Sequence, residues 1–135
     1  MKKISEKQLI ELCEASQLQI DCAAQLLGKT FSTDATWLNE GIKQGHYKAE
    51  TVTVGGTARF LLVFHVNQQR VLFINAAAQL TRDFSDFGAL SDGMIALAKK
   101  YACRAVEGMT LRAGVLKKLL DHGFTPIGVT VQCPV

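Results

Sequence analysis

Residues 84–131 read FSDFGALSDGMIALAKKYACRAVEGMTLRAGVLKKLLDHGFTPIGVTV, and the order of patterns in this stretch decides the fold. From Phe84 to Arg104, apolar residues recur at Leu90, Met94, Leu97, Ala98 and Tyr101, the spacing of one helical face. Ala105-Val106-Glu107-Gly108-Met109-Thr110 is short and suits a buried strand. Leu111, Val115, Leu116, Leu119 and Leu120 mark a second helix, with Gly123 as its C-terminal cap. Ile127 to Val131 alternates apolar and small residues, as a closing strand does.

Upstream of this unit the sequence predicts a meander of strands. Tyr47 to Val54 alternates polar and apolar residues, and Gly55-Gly56 supplies the positive backbone angles of a tight hairpin. Arg59 to Val66 is apolar on both faces, with Phe60, Leu62 and Phe64 on one side and Leu61 and Val63 on the other. Such a strand belongs in the middle of a sheet covered on both faces. Asn67-Gln68-Gln69 turns the chain into a further strand, Arg70 to Ala78. The N-terminal part reads as helix. Ser5 and Gln8 form a capping-box pattern, and Leu9, Leu12 and Cys13 begin an apolar face. A second helical piece spans about Leu18 to Leu27 and ends at Gly28. A third, capped by Thr33 or Asp34, carries Trp37, Leu38 and Ile42 and stops at Gly45, with Trp37 read as a core residue.

The 135 residues, 48% of them hydrophobic and 20% charged, suit one domain spanning 1–135 rather than two. The net charge of +3 is spread over lysine doublets at Lys2-Lys3, Lys99-Lys100 and Lys117-Lys118, which read as solvated helix faces and not as a nucleic-acid groove. Cys13, Cys22, Cys103 and Cys133 show no C-x-x-C pair and no histidine at ligand spacing, so they read as reduced thiols, the first two in apolar helical settings. Neither a signal peptide nor a membrane span is expected, and a cytoplasmic protein is the simplest reading. The G-x-S-x-G elbow, the P-loop and the dinucleotide fingerprint do not occur.

From about Ala49 to Val131 the chain resembles the GNAT family, the Gcn5-related N-acetyltransferases. The resemblance rests on the order of elements, on Arg112 through Gly123-Phe124, and on the run Ile74-Asn75-Ala76-Ala77-Ala78. It is closest to the small, divergent GNAT-like proteins of phages and prophages. The fold it implies is α+β, with a mixed, mostly antiparallel central sheet flanked by helices, here with a helical N-terminus. It also implies acetyl-CoA as cofactor. The backbone of Phe73, Ile74, Asn75 and Ala76 would hold the pantetheine arm where two strands splay apart. Thr81, Arg82 and Gly88 in the following turn, with Arg112, would meet the phosphates.

The sequence departs from the family at two motifs. The turn Gln79-Leu80-Thr81-Arg82-Asp83-Phe84-Ser85-Asp86-Phe87-Gly88-Ala89 lacks the family's glycine spacing, and Asp83 and Asp86 would repel phosphate. Gly123-Phe124 is present, but Leu119 stands where the family places its proton-donating tyrosine, and Arg112 where it places asparagine. A base that deprotonates an amine needs a pKa near the working pH. Glu107 and His65 are the candidates. The competing roles are an ion pair of Glu107 with Arg104, Arg112 or a lysine, and for His65 a hydrogen-bonded core histidine. His46 and His122 read as solvent-facing.

Two functions follow. One is an acetyl-CoA-dependent N-acyltransferase acting on a small-molecule or protein amine. The other is a GNAT-fold module that has lost catalysis and engages a protein partner. An exposed strand edge would also allow a homodimer.

Overall fold

The computed structural model describes residues 9–31, 36–81, 87–108, 121 and 123–124. The elements in chain order are strand β1 (Ile10–Glu14), helices α1 (Gln17–Phe31) and α2 (Thr36–Lys43), strands β2 (Lys48–Val54), β3 (Thr57–Val66) and β4 (Val71–Gln79), helix α3 (Phe87–Lys100) and strand β5 (Ala105–Gly108). They form one five-stranded sheet in the order β1-β2-β3-β4-β5. The first three pairs are antiparallel, and β4 and β5 run parallel, joined across α3. This is the mixed, mostly antiparallel α+β sheet that the sequence predicts.

Strand β3 is covered on both sides. Phe60, Leu62 and Phe64 join Val52, Val54 and Leu72 beneath Ala89, Met94, Leu97 and Ala98 of α3. Leu61 and Val63 join Ala49 and Ala78 beneath Ile20 and Ala23 of α1 and Leu38 of α2. The alternation of a strand sends successive side chains into opposite cores, so ten residues of β3 hold two helical layers to one sheet. At Gly55-Gly56 the φ angles are 60° and 88°, the two positive values a tight hairpin turn requires. The glycine-free turn before β4 is built differently. Asn67 Oδ1 accepts the amides of Gln69 and Val71, both at 3.0 Å, while Arg70 takes a φ of 63°.

The N-terminus departs from expectation. Ile10–Glu14, read from sequence as part of a helix, is an edge strand paired in register with β2 from Ile10↔Val54 to Glu14↔Glu50. Ile10 and Leu12 pack against the α3-side core while Glu11 and Cys13 are exposed, an alternation of two that a helical spacing of three and four imitates over so short a run. The first strand of the resembled fold is therefore present. The capping box lies at the next occurrence of the same pattern. Ser16 Oγ accepts the Gln19 amide at 3.2 Å, and Gln19 Oε1 accepts the Ser16 amide at 3.0 Å. Helix α1 runs on through Gly28 to Phe31.

Helix α3 is shorter than its apolar pattern. It ends at Lys100, where the Cys103 amide donates to Ala98 O at 2.8 Å, the Ala102 amide donates to Lys99 O at 3.1 Å, and Ala102 adopts a φ of 57°. The expected helix over Leu111–Leu120 and the strand over Ile127–Val131 lie outside the described residues, as do Ser5, Gln8, Arg82, Arg112, Leu119, His122 and Cys133. Gly123, the expected cap, has a φ of 92°.

Candidate functional site

Strand β4 contains one extra residue. Val63 pairs with Ala76 and Phe64 with Ile74, so Asn75 is a bulge. The parallel pairing with β5 is described as far as the same place, Ile74↔Gly108, so the bulge on one edge of β4 and the last described pair on the other mark one point, the fork. Beyond this fork, Ala76 to Gln79 stay paired with β3. Phe73 and Ile74, expected as backbone contacts for a ligand, are paired with Glu107 and Gly108, so the expected run is cut back to Asn75 onward. Along it Ala76 is half-buried, Ala77 is exposed, and Ala78 lies in the core under α1.

Next to the fork the register lines up three candidate residues. His65 pairs with Phe73, and Phe73 pairs with Glu107, so all three side chains share the sheet face that α1 and α2 cover elsewhere. His65 Nδ1 lies 2.9 Å from Asn75 Oδ1. This contact holds the ring by Nδ1 and leaves Nε2 turned away from Asn75. The imidazole stacks on Phe73, with centroids 5.4 Å apart and planes at 30°. His65 and Glu107 are not brought together, because strands spaced by about 4.8 Å put them roughly 10 Å apart with Phe73 between. The expected Arg104–Glu107 pair does not form. Arg104 Nε donates to Gln69 O at 3.0 Å, and no described cation bonds Glu107.

The aromatic row continues beyond His65. Tyr47 lies 6.3 Å from the imidazole and meets Trp37 edge-on at 5.9 Å and 85°. Trp37, expected in the core, is 42% exposed. Gly41 permits this arrangement, since a Cβ there would sit 2.2 Å from the Tyr47 ring. Tyr47 and Trp37 are residues that sequence reading does not tie to His65. The hairpin length would give the His65–Phe73 pairing, but nothing local places α2 beside them.

At the other end of β4, the turn toward α3 holds Thr81 and a basic residue that motif reading passes over. Arg59 is the bulged residue of β3, between Thr53↔Ala58 and Val52↔Phe60. Its Nη1 donates to Thr81 Oγ1 at 3.2 Å, and its carbonyl accepts the Leu80 amide at 2.7 Å. Gln79 Nε2 donates to Thr81 O at 2.7 Å. Gly88 lies in the first turn of α3. Arg59 thus brings a positive charge to the Thr81 end of β4.

A second polar cluster stands away from the fork. Glu50 is buried on the α3 side, with Oε1 2.8 Å from Lys100 Nζ and Oε2 2.5 Å from the Tyr101 hydroxyl. Burial first, then the hydrogen bond to Glu50 and the charges of Glu50 and Glu14, push the Tyr101 phenol up to about 12. A cavity of about 480 Å³ opens beside this cluster, bordered by Glu14, Tyr47, Lys48 and Lys100. Tyr101 is committed to Glu50 at the C-terminal end of α3 and is no proton donor for the fork. Cys103 is half-buried, Cys13 and Cys22 are exposed, and all three are free thiols. No helix among the described residues is long and apolar enough to cross a membrane.

No protein-family model and no curated protein sequence matches the chain. Solved structures do. An aminoglycoside acetyltransferase from an uncultured soil metagenomic sample, in complex with sisomicin, superposes with a TM-score of 0.66 at 14% identity over 98% of each chain. The ribosomal-protein-alanine N-acetyltransferase of Brucella melitensis biovar Abortus 2308 superposes with a TM-score of 0.66 at 12% identity, covering 94% of this chain and 99% of that one. AAC(6')-Iy, in complex with a bisubstrate analog of CoA and acetylneamine, gives 0.64 at 13% identity over 94% and 98%. The chain therefore has the GNAT fold, and its similarity to these proteins is one of fold.

Proposed function

We propose that this chain is an acetyl-CoA-dependent N-acyltransferase acting on an amine. One observation supports the reading: the small-residue stretch of β4 from the Asn75 bulge onward lies between a histidine held by Asn75 and a turn carrying Arg59 and Thr81. The residues fit the cofactor. Backbone groups of Asn75 to Ala78 hold the pantetheine arm, small side chains let it approach, and Arg59, Thr81 and the α3 N-terminus take the phosphates. Arg82 and Arg112 belong to the same proposed phosphate site. Bound there, acetyl-CoA supplies an activated acetyl thioester.

The chain's own residues do the rest. Asn75 holds the His65 ring by Nδ1, and Nε2 would take the proton that the amine sheds as its new N–C bond forms and the thioester C–S bond breaks, with CoA leaving as the thiolate. Glu107, two strands from His65, holds the incoming amine as its counter-charge on approach. The fold's other proteins include acetyltransferases of aminoglycosides and of a ribosomal-protein alanine, so either a small-molecule or a protein amine is compatible with it.

A second reading is a catalytically silent GNAT-fold module, of phage or prophage descent, that engages a protein partner. It is favoured by the commitment of the Tyr101 hydroxyl to Glu50, which leaves the fork without that phenol as an acid for the departing thiolate. Calorimetry with acetyl-CoA, and with desulfo-CoA as control, separates the two. Micromolar binding, weakened about tenfold by Arg59→Gln, is the expected result. No binding at millimolar ligand would leave only the second reading.

A further inference from the structure

We infer that the cavity at the end of β1 and β2 is a binding site for a free aliphatic α-amino acid, held as a zwitterion between Glu14 and Lys48. At about 480 Å³ the cavity has the size of a small-molecule site. It lies beside the first two strands of the sheet, whereas the proposed acyl-transfer site lies on β4, beyond β3. The two share no charged side chain, so the amino acid is a second ligand and not the acceptor.

Strand register places the charges. Glu14 pairs with Glu50, and Lys48 stands two residues before Glu50 on β2, so all three side chains leave the same sheet face. Glu50 is 4% exposed and already holds Lys100 Nζ at 2.8 Å and the Tyr101 hydroxyl. The Glu50–Lys100 pair is balanced within itself. Glu14 and Lys48 remain, both exposed, and neither is bonded to the other or to another described group of opposite charge. As diagonal neighbours on an antiparallel pair their backbones are about 7–8 Å apart. An amino acid matches that gap. Its ammonium and carboxylate are roughly 3 Å apart, and a hydrogen bond of about 2.8 Å at each end brings the span to about 8 Å.

Charge and wall chemistry then select the ligand. A simple amine would satisfy Glu14 and leave Lys48 without a counter-charge, and a polyanion would meet both Glu14 and Glu50. A zwitterion answers both free charges at once. Glu40 and Lys43 of α2, His46 and Lys99 do not line the cavity and leave this balance unchanged. Ile20 of α1 and Ile42 of α2 do line it, and they offer an aliphatic side chain an apolar wall.

The test is calorimetry on the whole chain at neutral pH with L-leucine, with L-leucinamide, which lacks the carboxylate, and with N-acetyl-L-leucine, which lacks the ammonium. Leucine is expected to bind, and each analogue to bind about tenfold more weakly or worse. Glu14→Gln and Lys48→Met should each weaken leucine by a similar factor and leave acetyl-CoA affinity unchanged. The analogue series on the native chain probes the same two charges without any substitution, so a variant that fails to fold does not remove the test. No leucine binding at millimolar concentration, equal affinity for leucine and either analogue, or leucine affinity untouched by both substitutions would each overturn the inference. N-acetylation of leucine by the chain with acetyl-CoA, read by mass spectrometry, would also overturn it, because leucine would then be the acceptor. A chain that binds leucine but not acetyl-CoA would lose the acyltransferase reading alone.

Discussion

His65 and Tyr101 show how one contact fixes the chemistry of a residue. Asn75 Oδ1 sits 2.9 Å from Nδ1 of His65, so in the proposed mechanism Nε2 is the nitrogen that meets the amine. Substituting His65→Gln is expected to lower kcat by about 10²–10⁴-fold while the acetyl-CoA affinity is unchanged, as read from steady-state kinetics beside calorimetry. Equal losses in stability and cofactor binding would mark the histidine as structural. Tyr101 is held the opposite way. Its phenol keeps its proton because burial and the neighbouring Glu50 disfavour the phenolate, raising its pKa from 10.0 to about 12. A group whose folded pKa is raised contributes stability that is complete below the unfolded value and lost as pH climbs through the folded one. Tyr101→Phe should therefore cost about 1–2 kcal/mol at neutral pH. The gap between variant and native chain in denaturant melts should close as pH rises from 10.0 toward about 12.

At the scale of elements, the sheet is positioned by close approaches as much as by apolar area. Gly93 of α3 faces Val52 of β2, and a Cβ at that position would stand 2.7 Å from a Val52 methyl carbon. Val52 is fully buried and has nowhere to move. Gly93→Ala is therefore expected to destabilise the fold by about 1–3 kcal/mol. Val52→Ala in the same chain should recover part of that loss, a coupling measurable by a double-mutant cycle in urea. Additive effects would show that α3 shifts instead of straining. The end of α3 is tied as firmly. Arg70 Nε donates to Ala102 O at 2.9 Å and Arg70 Nη2 to Tyr101 O at 3.3 Å, so the β3–β4 turn grips the α3–β5 turn at the foot of the fork. Both Arg70 and Ala102 hold positive φ there. A non-glycine residue in that region costs about 1–2 kcal/mol, which the guanidinium bonds offset.

For the whole molecule, the fork makes a prediction about stability. If acetyl-CoA binds along Asn75 to Ala78 as proposed, ligand at about 100 times its Kd should stabilise the chain by about 2.7 kcal/mol, read as an upward shift in thermal unfolding. An unmoved melting temperature would count against cofactor binding. Much of this architecture is legible in one-dimensional patterns. The two-faced apolar run of β3, the paired glycines at Gly55-Gly56 and the helical spacing of Leu90 to Leu97 each fix an element through local physics. Element order, with the Arg112 to Gly123-Phe124 segment and the run Ile74 to Ala78, then led to the GNAT resemblance. Strand β1 was not legible, because five residues with Ile10 and Leu12 inward satisfy a helical and a strand pattern alike, and only pairing with β2 chooses between them.

The site divides along the same line. The sequence by itself determined that Asn75 to Ala78 is a run of small residues ending a buried strand, that His65 and Glu107 are the titratable groups near it, and that the family's glycine turn is missing. These follow from residue identity and short-range periodicity. Only the tertiary structure decided that Asn75 is a bulge, that it holds His65, that Arg59 reaches the Thr81 turn, and that Trp37 leaves the core to join an aromatic row. Each of these depends on strand register or on helix placement. Register is a cooperative property of paired strands, in which one extra residue re-aims every side chain that follows it, and no local pattern carries that information.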